Sequence, residues 1–166
     1  MCEGKLTIEE CVKSLNSFEP TKSPGNDGLT VEFYKFFWNL VGELLVAGLN
    51  YSYDVGELSN SQKTAIIILL EKKDKDKRYI SNWRPISLIN VDVKIGSKAI
   101  AKRLAFDSGD SVSREFLFRT LSTACFGSSF IQWMHTFYNN IYSCVSNNGF
   151  ARLRGILFLR TCLLSC

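Results

Sequence analysis

A cluster of basic side chains follows a strand-like apolar run near the middle of the chain. The run covers Lys63–Leu70 and is continuous in β-branched and aliphatic residues, which predicts a strand buried on both faces. Cations fixed at the end of a strand suit the binding of a polyphosphate. A solvated hairpin tip explains the same residues, and composition alone favours it. The cluster alternates basic and acidic residues: Lys72, Lys73, Asp74, Lys75, Asp76, Lys77 and Arg78.

An arginine follows this cluster in a restricted backbone setting. Arg84 lies between Trp83 and Pro85, and the proline limits the backbone of the residue before it. The planar guanidinium can donate two parallel hydrogen bonds to a phosphate. Alternatively, Arg84 is structural and caps a backbone carbonyl or stacks on Trp83. The residues alone leave these two interpretations open.

The loop Lys22–Gly28 could be mistaken for a phosphate-binding loop. It is dense in serine, proline, glycine, asparagine and aspartate, which are turn-forming residues. It lacks the lysine and the following Ser or Thr of a Walker motif, and no strand precedes it. We therefore interpret it as a tight turn between two helices that exposes backbone amides.

Composition places the chain among globular proteins. It has 166 residues, of which 46% are hydrophobic and 22% are charged, enough for a core and too apolar for a disordered tail. The net charge of +4 permits a nucleic-acid partner without requiring one.

The six cysteines and the single histidine, His135, do not form the close ligand pairs of a zinc site, so we expect no metal site. Charged residues interrupt the N-terminal segment, and the apolar C-terminal segment 156–166 contains Arg160. We therefore expect no signal peptide, no membrane span, and reduced cysteines in the cytoplasm or nucleus.

The elements that would position these residues follow from periodicity and capping. Thr7 and Glu10 form a capping box at the start of a first helix, which ends before Pro20. Trp83–Leu88 is expected to pair antiparallel with Lys63–Leu70. The remaining predictions are helices at 30–40, 42–53, 91–104, 114–122 and 128–139, a turn at 56–60, a strand at 141–145 and a turn at 146–149.

Several of these segments resemble one known family in their order and spacing. Lys22–Thr30 with Glu32–Trp38, then Asn82–Asn90 with Lys94–Leu104, resemble the reverse transcriptase domain of LINE-type (non-LTR) retrotransposons. Shorter matches to its palm region follow at 116–118, 126–127, 130–133, 137–141 and 147–150.

The resemblance implies roles for particular residues. Lys72 or Lys73 and Arg84 would lie in the fingers near the incoming nucleotide or template, and Lys22 in a segment that approaches the template backbone. The implied partners are an RNA template and a DNA primer, and the family's cofactor is Mg²⁺.

The chain departs from the family pattern at its catalytic carboxylates. The first carboxylate motif of the family ends in a form that resembles Ala105–Asp107, and counting back places its catalytic aspartate at Ala101. Asp107 is then the later, non-catalytic aspartate, and a turn or cap role is favoured for it. Arg154 and Gly155 begin the next motif, but its Gln-Gly core is missing, and no Asp-Asp pair occurs in the sequence. Mg²⁺ is therefore not expected to bind productively.

The sequence thus predicts an α+β fold: mostly helical reverse-transcriptase fingers with a short antiparallel β-hairpin in residues 1–104, and a partial palm in 105–166. The palm part is expected to be a looser helical piece with one strand.

We predict an internally deleted, catalytically inactive fragment with no catalytic residues of its own. The alternatives are a non-catalytic nucleic-acid-binding module that uses Lys22, the 72–78 cluster, Arg84, Lys98, Lys102 and Arg103, or a pseudogene product without a function. The sequence indicates no oligomeric state.

Overall fold

The structure, a computed structural model, describes residues 4–104, 114–123, 126–147 and 150–156. Its helices are α1 (Ile8–Asn16), α2 (Val31–Val55), α3 (Asn60–Lys63), α4 (Val91–Leu104), α5 (Arg114–Thr123) and α6 (Ser128–Tyr138). Its strands are β1 (Thr64–Glu71), β2 (Trp83–Leu88), β3 (Tyr142–Asn147) and β4 (Phe150–Ile156), with a 3₁₀ turn at Ile80–Asn82. This mixture confirms the α+β class. No helix in the described ranges combines the length and apolar character that a membrane crossing requires.

Helix α1 begins as predicted. The Thr7 side chain accepts a hydrogen bond from the Glu10 backbone N–H, and the Glu10 carboxylate accepts one from the Thr7 N–H. This reciprocal pair satisfies two backbone donors that a helix N-terminus leaves free. Ser17 ends the helix before Pro20 is reached.

Helix α2 is a single helix of 25 residues, so the prediction of two helices divided near Val41 is wrong. Gly42 does not break it, because no proline interrupts the hydrogen bonds and the Trp38 indole covers the glycine. A Cβ atom at Gly42 would lie 2.7 Å from the Trp38 ring. The helix ends at Gly56, whose φ of 79° lies in the left-handed region that favours glycine.

The four strands form one sheet in the order β2-β1-β3-β4. β1 and β2 pair antiparallel, which confirms the predicted hairpin, whereas β1 and β3 pair parallel. β3 pairs antiparallel with β4, so the prediction of only one strand after residue 104 is wrong. β4 contains two arginines and a glycine, which obscures a strand pattern, and its pairing with β3 supplies the backbone hydrogen bonds instead. The predicted strand at 141–145 continues through Ser146 and Asn147, so these two residues do not form the predicted turn, and residues 148–149 lie outside the described residues.

β1 is buried on one face only, contrary to the expectation of burial on both. Ala65 and Ile67 point into the core, whereas Leu69 and Leu70 at the far end are exposed. Burial therefore decreases along β1 toward the end of the hairpin.

The core lies where α2, α4 and α6 meet. Gly96 of α4 allows this approach, since a Cβ there would lie 2.9 Å from Leu49 of α2 and 3.3 Å from Phe137 of α6. α4 has the bounds that the sequence predicted. The proposed division between regions 1–104 and 105–166 falls beside residues 105–113, which lie outside the described ranges, and it stays a prediction.

Candidate nucleic-acid interface

The structure brings three of the four predicted binding residues to one end of the β1–β2 hairpin. Lys72 and Lys73 follow directly after β1. Arg84 pairs with Leu70, next to the last pair of the β1–β2 ladder, which joins Glu71 and Trp83. Lys73 and Arg84 are exposed and Lys72 is half-buried. We call residues 71–84 the hairpin tip.

Local hydrogen bonds close the hairpin tip into a defined shape. The Lys72 backbone N–H donates to the Asn82 carbonyl at 2.8 Å, and the Lys72 ammonium donates to the Ser81 carbonyl at 2.7 Å. The Asn82 amide donates to the Asp76 carbonyl at 2.9 Å, and the Trp83 indole N–H donates to the Lys77 carbonyl at 2.9 Å. These bonds hold the basic loop against the strand ends, so its cations are presented from an ordered support.

The carboxylates of the hairpin tip neutralise some of its cations. The Lys77 ammonium lies 2.6 Å from the Glu71 carboxylate, and the Arg78 guanidinium lies 2.7 Å from Asp76. Hydrogen bonds from Arg78 hold the pKa of Asp76 below its usual range. Residues 71–78 carry five cations against three carboxylates, a net charge of +2, to which Arg84 adds. The surplus positive charge is available for an external anion.

Arg84 has neither of the structural roles that the sequence left open. Within the described residues its guanidinium caps no carbonyl and stacks on no ring. The indole of Trp83 is engaged with Lys77, and neighbouring strand residues point to opposite faces of a sheet. Arg84 therefore projects from the sheet face that carries Ile86 and Leu70, with its guanidinium exposed.

Lys22 is not part of this group. Its ammonium pairs with Glu19 at 2.8 Å, and that contact holds the pKa of Glu19 below its usual range. The loop that carries Lys22 packs through Gly25 on Asn90, two residues beyond the end of β2. Since Asn90 is six positions beyond Arg84, this contact lies on the order of 20 Å along the chain from the hairpin tip.

The contact between Gly25 and Asn90 was not foreseen from the sequence, which indicated only a turn. A Cβ atom at Gly25 would lie 2.3 Å from Asn90 Oδ1 and 2.4 Å from its backbone nitrogen. Asn90 is buried and its amide donates to Ser61 at 3.2 Å. The glycine thus lets the 22–28 loop dock where β2 turns into α4.

We expect Gly25→Ala to lower the free energy of unfolding by about 2 kcal/mol, because the added methyl group overlaps backbone as well as side-chain atoms of Asn90. Gly48→Ala is the matched control. Gly48 lies inside α2 with open space around it, so the same substitution should stabilise the chain by up to about 1 kcal/mol. Urea denaturation of both variants measures these effects. Equal changes in the two variants would contradict the packing argument.

The basic side chains at the C-terminal end of α4 hold α4 against α1. The Lys98 ammonium lies 3.4 Å from the Ser17 carbonyl and 4.3 Å from the Phe18 ring, and Lys102 donates to the Lys13 carbonyl at 2.9 Å. Both lysines thus satisfy carbonyls at the C-terminal end of α1, where the helix dipole favours cations. Burial, together with nearby Lys98 and Lys13, lowers the pKa of Lys102.

Arg103 is also used internally, so it does not present its guanidinium to a phosphate. Its side chain is 9% exposed and binds the Glu10 carboxylate with two nitrogens, at 2.7 and 2.8 Å. It donates further to the carbonyls of Gly4 and Lys5. The hydrogen bonds from Arg103 are the main reason that the pKa of Glu10 lies below its usual range.

The described residues do not fit the metal centre that the resemblance implies. No group of three or more His, Cys, Asp or Glu side chains within them could hold a metal ion. The position expected for the first carboxylate is Ala101, in the last turns of α4, and a methyl group cannot ligate Mg²⁺. Asp107 lies outside the described residues.

Comparison with known proteins gives one informative similarity. The chain is 44% identical over 102 residues to the Transposon TX1 uncharacterized 149 kDa protein of Xenopus laevis. The matched segment is 61% of this chain and 8% of that protein, so the chain spans less than a tenth of its relative's length. No protein-family model matches the chain. The structure and this similarity define an α+β chain related in sequence to a transposon protein.

Proposed function

We propose that the chain derives from a transposon and is a piece of a non-LTR retrotransposon reverse transcriptase. In this proposal the hairpin tip contacts the nucleic-acid template or an incoming nucleotide. The similarity to a transposon protein supports the origin, and the order of the fingers-like segments supports the enzyme class.

The observation that carries the binding role is the arrangement of Lys72, Lys73 and Arg84 at one end of an ordered hairpin. The hydrogen bonds of the tip order its backbone before binding, so less conformational freedom is lost when the exposed Lys73 and Arg84 meet a phosphate backbone. The Lys72 ammonium already donates to the Ser81 carbonyl. The exposed Arg84 guanidinium offers the planar pair of donors that phosphate oxygens accept. Lys98, Lys102 and Arg103 of α4, by contrast, are held by carbonyls at the C-terminal end of α1 and near the N-terminus and by Glu10.

The chain is proposed not to polymerise by itself. Nucleotide addition requires carboxylates that hold two metal ions, one at the attacking oxygen and one at the triphosphate. Ala101 replaces the first expected carboxylate, and the sequence contains no Asp-Asp pair. Binding of nucleic acid without extension is therefore the activity that we expect of this chain.

Two assays on one sample test this function. Primer extension on an RNA template with magnesium, run beside an active reverse transcriptase, should give no product from this chain. Filter binding of the same primed template should be detectable at low salt and should weaken steeply as salt rises. Extension would overturn the assignment of inactivity, and an absence of salt-sensitive binding would overturn the binding role.

Substitution of the three basic residues of the hairpin tip tests whether the tip is where the template binds. We expect K72Q/K73Q/R84Q to weaken template binding at least about tenfold and to reduce the salt slope by up to about 2, since each phosphate contact to a single strand contributes about 0.7. The control K13Q/K94Q/R119Q also removes two lysines and one arginine, from helices outside the hairpin. Because both variants lower the net charge equally, an equal loss of binding would show that overall charge, and not the hairpin tip, is responsible.

A further inference from the structure

Helix α2 is apolar on two opposite faces, of which only one is covered. Its inner face packs into the core through residues such as Val46 and Leu49. Its outer face carries large apolar side chains that are 56–81% exposed: Phe36, Leu40, Leu44, Tyr51 and Val55. A surface helix ordinarily buries its apolar stripe and presents a polar face to the solvent. The outer face of α2, which we call the α2 stripe, therefore lacks a partner among the described residues.

The α2 stripe is continuous and straight. Together with exposed Ala47, its residues follow one another at intervals of 4, 4, 3, 4 and 4 positions. This eleven-residue repeat matches the helical period closely, so it keeps all six side chains within about 100° of arc over roughly 28 Å of helix. Such a surface fits another helix along its whole length.

The α2 stripe is complementary to itself when reversed. In an antiparallel pair with a two-fold axis beside Leu45 and Val46, Phe36 faces Val55 of a second copy and Leu40 faces Tyr51. Leu44 then faces Ala47 of the second copy. Each end therefore matches an aromatic ring with an aliphatic side chain, while small residues at the centre permit close approach of the helices.

The exposed area is sufficient for a dimer. Two aromatic and three aliphatic side chains, at these exposed fractions, offer on the order of 600 Å² per copy if a full aromatic side chain contributes about 200 Å² and an aliphatic one about three quarters of that. Two copies would bury up to about 1,200 Å², at the lower end of the range of specific protein interfaces. A two-fold contact of one patch with itself is also the commonest form of protein association.

We propose that the α2 stripe is a homodimer interface in which two copies of the chain pair antiparallel through α2. This inference is independent of the hairpin tip and of the proposed nucleic-acid binding. It rests on the exposure, the period and the self-complementarity of the stripe.

Sedimentation velocity of the whole chain under reducing conditions, from micromolar to submillimolar concentration, tests the proposal. The wild-type chain is expected to form a dimer as the concentration rises. Leu40→Lys and Tyr51→Glu should each weaken dimerisation at least about tenfold, since each places a charge in the apolar contact without a partner. The double variant L40K/Y51E should recover dimers, because the lysine of each copy then faces the glutamate of the other.

The control is Ile80→Lys, which adds a charge at an equally exposed apolar residue of the 3₁₀ turn and should leave dimerisation unchanged. Circular dichroism verifies that each variant is folded. A wild-type chain that stays monomeric throughout would overturn the proposal and leave the stripe to a different partner. Failure of L40K/Y51E to dimerise, or loss of dimer in Ile80→Lys, would equally overturn the antiparallel α2 contact.

Discussion

Replacement of Arg103 by methionine is expected to lower the free energy of unfolding by about 3–5 kcal/mol. The guanidinium is almost fully buried and bridges Glu10 of α1, at 2.7 Å, and the carbonyls of Gly4 and Lys5. Methionine has a similar length and no charge, so it fills the space but leaves the partly buried Glu10 carboxylate without its cation and the Lys5 carbonyl without its donor. The Gly4 carbonyl keeps the Trp133 indole N–H. Urea denaturation at neutral pH measures the loss.

The neighbouring Lys102→Met is the matched control, since it removes a cation from the same helix turn at an exposed position. Its effect should stay below about 1 kcal/mol. Adding Glu10→Gln to Arg103→Met should recover part of the stability, because the amide no longer leaves an unpaired charge at this site. Additive losses in the double variant would show that the two side chains do not act as a pair.

The same pair gives the chain a defined dependence on pH. Hydrogen bonds from Arg103 lower the pKa of Glu10 in the folded chain, so the pair contributes stability above the unfolded pKa of about 4.3. That contribution is lost as the pH falls through the lower folded value. In Arg103→Met the decline in stability between neutral and acid pH should therefore be smaller than in the wild-type chain.

The elements that could be predicted are those whose signals are local. The capping box of Thr7 and Glu10, the bounds of α4 and the antiparallel hairpin depend on neighbouring residues or on one short connection. The parallel pairing of β1 with β3 joins residues about 80 positions apart, such as Thr64 with Tyr142, and no local pattern encodes it. The continuity of α2 through Gly42 is a different case, because Trp38, whose ring covers the glycine, lies only four positions away in the same helix, so this missed signal was local.

At the candidate site, too, local groupings could be predicted from the sequence and contacts between distant residues could not. Lys72, Lys73 and Arg84 could be grouped from the sequence because the hairpin that joins them is local. The internal use of Lys102 and Arg103 could not be foreseen, because their partners in α1 and at its C-cap lie 85 or more positions away. Gly25 carried a turn signal, whereas its close approach to Asn90 is a tertiary contact that only the fold reveals.

Trp133→Ala is expected to lower the free energy of unfolding by about 3–5 kcal/mol. Trp133 is 0% exposed and its indole N–H donates to the Gly4 carbonyl at 3.1 Å. Its ring lies 4.7 Å from that of Tyr53 in α2 and 5.5 Å from that of Phe137. The substitution removes all three contacts and leaves a cavity between α2 and α6.

Met134→Ala provides the comparison, because the neighbouring Met134 is only partly buried against the same core and its truncation should cost clearly less. Thermal unfolding followed by circular dichroism compares the two variants. An equal loss in both would mean that the core relaxes around the missing indole.

The contacts of Trp133 also bear on whether residues 1–104 form a separate unit. Trp133 and Phe137 of α6 belong to the same core cluster as Leu49 and Ile95, and β3 continues the sheet beside β1. A chain cut after residue 104 would expose this core and leave β1 with an open edge. We therefore expect the 1–104 fragment to lose cooperative unfolding. A cooperative transition in that fragment would instead show that the fingers-like region folds alone, and that α6 docks on a preformed surface.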